Sequence, residues 1–122
     1  MVCKEIMKEN PEVAHPGDTL HATARKMRDK GVGFLPVVDE QHRPVGTITD
    51  RDIAVRSVAQ DQRPSHVHVH EVMSTLPVSC WLFDELDAAE RLMERAQKSR
   101  IMCVDKDGAL AVSYTHLTLP TN

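Results

Sequence analysis

The chain has 122 residues, 41% apolar and 27% charged, the balance of a soluble globular protein with room for one domain or two small units sharing a core. A net charge of −3 and 3% aromatic residues leave no basic or stacking surface for nucleic acid. No apolar run approaches the ~20 residues of a membrane span, and the N-terminal MVCKEIMKEN lacks a signal peptide's apolar core, so a cytoplasmic protein with no membrane partner is expected.

In chain order, PGDTLHATARKMRDKG predicts a helix. Asp18 is placed to cap it, Leu20, Ala24 and Met27 share one face, and Gly31 ends it. Phe34–Val38, apolar throughout, predicts a strand, residues 39–43 a polar turn, and Pro44–Thr49 a second strand. A second helix from Arg51 turns Ile53, Ala54, Val55 and Val58 toward a core, and QDQRPSH follows as a polar connection. These elements set a first unit over residues 1–60 and a linker over residues 61–70.

The pattern then returns at an offset of 66 residues. Glu5, Met7, Pro11, Asp18, Leu20, Ala22, Arg25, Met27, Val38 and Asp39 recur as Glu71, Met73, Pro77, Asp84, Leu86, Ala88, Arg91, Met93, Val104 and Asp105 without a gap. A duplicated strand–helix–strand–strand–helix unit is implied, an α/β fold in which two sheets bury each other's faces.

Within the linker, His66, His68 and His70 alternate, so on a strand all three face one way and Glu71 the other. That arrangement predicts surface histidines and no metal site. Cys3, Cys80 and Cys103 form no CxxC pair, and their odd number speaks against a disulfide framework; they read as buried small apolar residues.

The register breaks near the end. Gly46 falls opposite Val112 and Asp52 opposite Thr118, and no apolar-periodic segment follows. VSYTHLTLPT is similar to one reading frame of a transposon-end sequencing adapter. Residues 112–122 are therefore expected to be a non-native tail that leaves the second unit, residues 71–111, without its last strand and helix and with an open edge, although residues 113–119 tolerate a strand.

DTLHATARKMRDKGVGFLPVVDEQHRPVGTITDRDI resembles a CBS domain, whose signature runs from a capped helix through Gly-x-x-Pro-Val-Val-Asp to Gly-x-x-Thr-x-x-Asp. The resemblance covers residues 5–58 well and residues 71–111 moderately, and is nearest to small stand-alone bacterial proteins with two such domains. It implies tandem CBS domains packed as a pseudo-twofold pair, a homodimer, and no enzyme. It also implies a sensor that binds AMP, ADP, ATP or S-adenosylmethionine as a regulatory ligand, with no required cofactor. Carried over by position, Thr49 and Asp52 meet the ribose, and Arg51 adds charge toward a phosphate. Gly33, Phe34, Leu35 and Thr47 border the pocket, and the second copy contributes Val78, Ser79 and Ser99. Thr49-x-x-Asp52 also has the form of a capping box, which explains both residues without a ligand at about 1 kcal/mol. A module that only dimerises is thus the alternative.

Overall fold

The computed structural model of the chain describes residues 8–9, 12–75, 79–81, 88, 91 and 100–115. In order these give β1 (Lys8–Glu9), α1 (Leu20–Lys30), β2 (Phe34–Val38), β3 (Pro44–Thr49), α2 (Asp50–Arg56), single 3-10 turns at Val58–Gln60 and Pro64–His66, α3 (Val69–Val72), β4 (Ser79–Trp81), β5 (Arg100–Val104) and β6 (Leu110–Thr115). They divide into two compact units, one of Glu12–Leu76 and one of Met1–Pro11 with Pro77–Asn122.

In the first of these, α1 is capped one residue later than expected. Thr19 Oγ1 accepts the Ala22 N–H at 3.1 Å, whereas Asp18 accepts the His15 N–H at 2.9 Å and closes the turn leading into the helix. Gly31 stops the helix in the left-handed region, at φ 67°, where a side chain costs most. Leu20, Thr23 and Met27 are buried, with Ala24 packed beside them.

Both strands of the first hairpin have the bounds that the sequence predicts. β2 pairs antiparallel with β3, and Leu35, Val37 and Ile48 fill the core on one face. The connecting turn is closed by Asp39, whose Oδ1 accepts the N–H groups of Gln41 and Arg43, both at 2.9 Å. In the second unit Asp105 does the same for Asp107 and Ala109, at 2.9 and 3.1 Å. The positive φ of each turn falls at one repeat position, His42 at 64° and Gly108 at 81°.

The 66-residue offset also governs the edges. Ala14 bridges Val37 in parallel as Cys80 pairs with Cys103, and Thr47 bridges Ser74 antiparallel as Ser113 pairs with Lys8. The strand order β1-β6-β5-β4 of one unit is therefore echoed in the other by Ser74, β3, β2 and Ala14. Residues at the start of each copy pair with the hairpin of the opposite copy, so the compact units are offset from the sequence repeats.

Three expectations change. β6 runs through Val112 to Thr115 and pairs with β5 on one side and β1 on the other, so a strand occupies this position, its edge is covered, and it starts before residue 113. Residues 116–122 lie outside the described ones. Residues 61–70 are built into the unit instead of linking: Val67 and Val69 join the core, and their backbone bonds to Leu20 and Asp18 are 2.9 and 2.8 Å. Of the apolar residues of α2 only Ile53 packs inward, while Val55, and Val58 in the turn after the helix, are 50% and 60% exposed.

The close approach of Ser74 to β3 leaves no space at Gly46. A Cβ there falls 2.6 Å from the Ser74 carbonyl oxygen and 2.9 Å from Met73 Sδ. Gly46→Ala is expected to lower the urea midpoint by the equivalent of about 1–3 kcal/mol, the range of overpacked cores. His42→Gly relieves a left-handed non-glycine residue and is expected to raise stability by up to about 1 kcal/mol after the entropy of the added glycine.

Candidate functional site

Alternation along β3 sends Gly46 and Ile48 to the core and leaves Thr47 and Thr49 half-buried on the opposite face. Register sets Phe34 against Thr49 and Pro36 against Thr47, so Phe34 shares that face. The chain then leaves β3 and enters α2 through a reciprocal cap. Thr49 Oγ1 accepts the Asp52 N–H at 3.0 Å, and Asp52 Oδ2 accepts the Thr49 N–H at 2.9 Å. Both hydrogen bonds of the capping box are therefore made. Asp52 Oδ1 accepts no hydrogen bond among the described residues.

Asp50, which sequence reasoning did not assign to the site, ties the two strands' ends to the helix. Its N–H donates to the Gly33 carbonyl at 3.0 Å, and its Oδ1 accepts the Arg51 N–H at 2.8 Å. The carboxylate lies so near Gly33 that a Cβ there would stand 2.8 Å from Asp50 Oδ2. That carboxylate is the tip of an exposed side chain and can swing aside, so the contact alone does not impose glycine at 33. The adjacent acids of the Thr-Asp-Arg-Asp run were the available signal. The Arg51 side chain is exposed and has no partner among the described residues.

Gly33, Phe34, Thr47, Thr49, Arg51 and Asp52 thus gather at one end of one hairpin and the start of one helix. Leu35 is only 1% exposed and sits in the core, so its side chain offers no surface to a ligand. Ser79 belongs to β4 in the other compact unit, and Val78 and Ser99 lie outside the described residues.

The histidine run departs from its expected geometry. Val67 and Val69 are buried and His66, His68 and His70 exposed, as alternation demands. The chain turns into α3 at Val69, however, and this returns Glu71 to the histidine side, with Oε2 3.4 Å from His68 Nδ1. The His68 backbone N–H, donated to Oε2 at 2.7 Å, is the main influence holding the Glu71 pKa below its ordinary value.

Among the described residues, no helix is long and apolar enough to cross a membrane. A family model for the CBS domain matches residues 3–58. The CBS domain-containing protein YhcV of Bacillus subtilis is 37% identical over 109 residues, which cover 89% of this chain and 76% of YhcV. The protein MK0525 of Methanopyrus kandleri is 30% identical over 106 residues and 87% of this chain; the match spans 54% of that protein, about half its length. The crystal structure of Hypoxic Response Protein I with two coordinated zinc ions resembles this chain with a TM-score of 0.83 at 24% identity, over 94% of this chain and 92% of the other. The CBS domain pair of protein MJ0100, in complex with 5′-methylthioadenosine and S-adenosyl-L-methionine, gives a TM-score of 0.81 at 24% identity, again over 94% and 92%. Both structural likenesses establish the fold.

The cap generates a direct stability test. Thr49→Ala removes the acceptor for the Asp52 N–H and is expected to cost about 1 kcal/mol in equilibrium unfolding. Thr49→Ser keeps the hydroxyl and is expected to restore most of that loss.

Proposed function

The chain belongs to the CBS-domain family, and on that premise we propose that it is a regulatory, non-catalytic module of the cytoplasm that binds an adenosine-bearing ligand at the junction of β3 and α2. The ligand class is AMP, ADP, ATP or S-adenosylmethionine. The observation that carries the reading is the arrangement of Asp52. One carboxylate oxygen holds the cap, which fixes the side chain, and the other is left to accept from a ribose hydroxyl. Thr49 accepts through Oγ1 and keeps its own O–H to donate. Thr47 and Phe34 continue the same face and flank the sugar and base, and the exposed Arg51 meets a phosphate or carboxylate. The adenosine-bearing ligands of the MJ0100 domain pair support the choice of ligand class.

Regulation requires that the ligand prefer one of two states of an assembly. A homodimer is the assembly we infer, because α2 and the 3-10 turn after it present Val55 and Val58 outward, half or more exposed, beside Ala54. A second reading, a dimerising module without a nucleotide, is favoured by one observation. The completed capping box accounts for Thr49 and Asp52 by itself.

Titration calorimetry with AMP, ADP, ATP and S-adenosylmethionine separates the two. The sensor reading expects at least one to bind below millimolar concentration. Asp52→Asn, which keeps an acceptor for the cap and loses the charge, should then weaken binding about tenfold, the difference between a charged and a neutral hydrogen bond. Silence from all four ligands at millimolar levels contradicts it. For the dimer, sedimentation equilibrium should show twice the chain mass, and the double variant Val55→Asp, Val58→Asp should sediment as a single chain.

A further inference from the structure

The run HVHVH has no part in the ligand site above, yet the fold organises it. Val67, Val69 and Val72 are buried, and the backbone between them is tied down by Leu20 N–H to Val67 O at 2.9 Å, Val69 N–H to Asp18 O at 2.8 Å and His70 N–H to Pro16 O at 3.0 Å. On this fixed backbone the imidazoles of His68 and His70 project outward with ring planes 4° from parallel and centroids 5.7 Å apart. The turn into α3 brings Glu71 to the same side. One ligand atom from each of His68, His70 and Glu71 lies within 4.8 Å of the other two.

We propose that these three side chains bind one divalent transition-metal ion of the zinc class, with water completing its shell. Tetrahedral zinc with bonds near 2.0–2.1 Å sets its ligand atoms about 3.3 Å apart, so modest rotations of three exposed side chains close the set. Two imidazoles select such an ion over magnesium or calcium, which take oxygen ligands. Glu71 keeps Oε2 on the His68 N–H, which orients the carboxylate, and offers its other oxygen to the ion. His66 belongs to the preceding 3-10 turn and is not one of the three. An ion held here fastens residues 68–71 to one another, three positions before Ser74 joins β3, and so braces the segment that closes the hairpin edge.

Zinc chloride alone, titrated into the untagged chain against a chromophoric chelator, provides the test. One ion per chain at micromolar free zinc is expected, with a rise in the thermal midpoint and no displacement by millimolar magnesium. His70→Ala leaves the α3 cap intact and is expected to weaken zinc binding at least about tenfold, as loss of a first-sphere ligand should. Glu71→Gln keeps the cap and is expected to weaken it as well, while His42→Ala, in the β2–β3 turn, leaves it unchanged. No uptake below about 1 mM zinc, or equal uptake by the chain and its His68→Ala, His70→Ala double variant with native circular dichroism, overturns the proposal.

Discussion

Two backbone hydrogen bonds, Thr47 N–H to Ser74 O and Ser74 N–H to Thr47 O, both 2.9 Å, close the free edge of β3. They exist because Gly46 has no side chain to hold Ser74 away. Much else in this unit depends on that closure. It seats Gly46 and Ile48 inward, which turns Thr47 and Thr49 to the other face, where Phe34 stands. It also anchors the far end of residues 66–73, whose valines fill the core over the start of α1 and whose histidines are left outside. The β3–α2 junction and the histidine cluster are thus separate consequences of one tightly fitted strand edge.

The same closure explains why the compact units do not coincide with the sequence repeats. Each hairpin takes its edge partner from the first residues of the other copy, Ser74 for β3 and Lys8 for β6, at equivalent repeat positions. A chain cut between the copies would leave each hairpin with an unpaired edge and exposed backbone donors and acceptors. The tandem arrangement is in this sense a requirement of the strand pairing, whatever the ligand does.

What the sequence disclosed followed strong local chemistry. The apolar run 34–38 and the strand 44–49 were legible to the residue, because the turn between them is dictated by Asp39 and polar neighbours. The capping box was legible because Thr and Asp at that spacing satisfy each other's backbone. The repeat, read from ten identities, extends to atoms, down to the paired turns at Asp39 and Asp105. Features governed by tertiary packing were less visible. Asp18 lost the cap to Thr19 because its carboxylate was taken by the His15 N–H. Val67 and Val69 lay in a stretch polar enough to suggest a linker, yet they are core. Val55 and Val58 looked inward on apolarity alone, while α2 is short and turns only Ile53 to the core. Strand alternation over residues 66–71 puts Glu71 opposite the histidines, whereas the turn into α3 brings it to their side. In the candidate site, Thr49 and Asp52 declare themselves by spacing, whereas Asp50 and its nearness to Gly33 emerge only once β2 and α2 stand side by side.

We propose above all that an adenosine-bearing ligand is gripped by the face of β2 and β3 and the first turn of α2. Amide chemical-shift mapping of the isotopically labelled chain during titration with AMP and with S-adenosylmethionine tests it most directly. Saturable shifts concentrated at Phe34, Thr47, Thr49, Arg51 and Asp52, with His68 and His70 unmoved, are expected for at least one of the two. Saturable shifts centred elsewhere, or none with either ligand at millimolar concentration, contradict it.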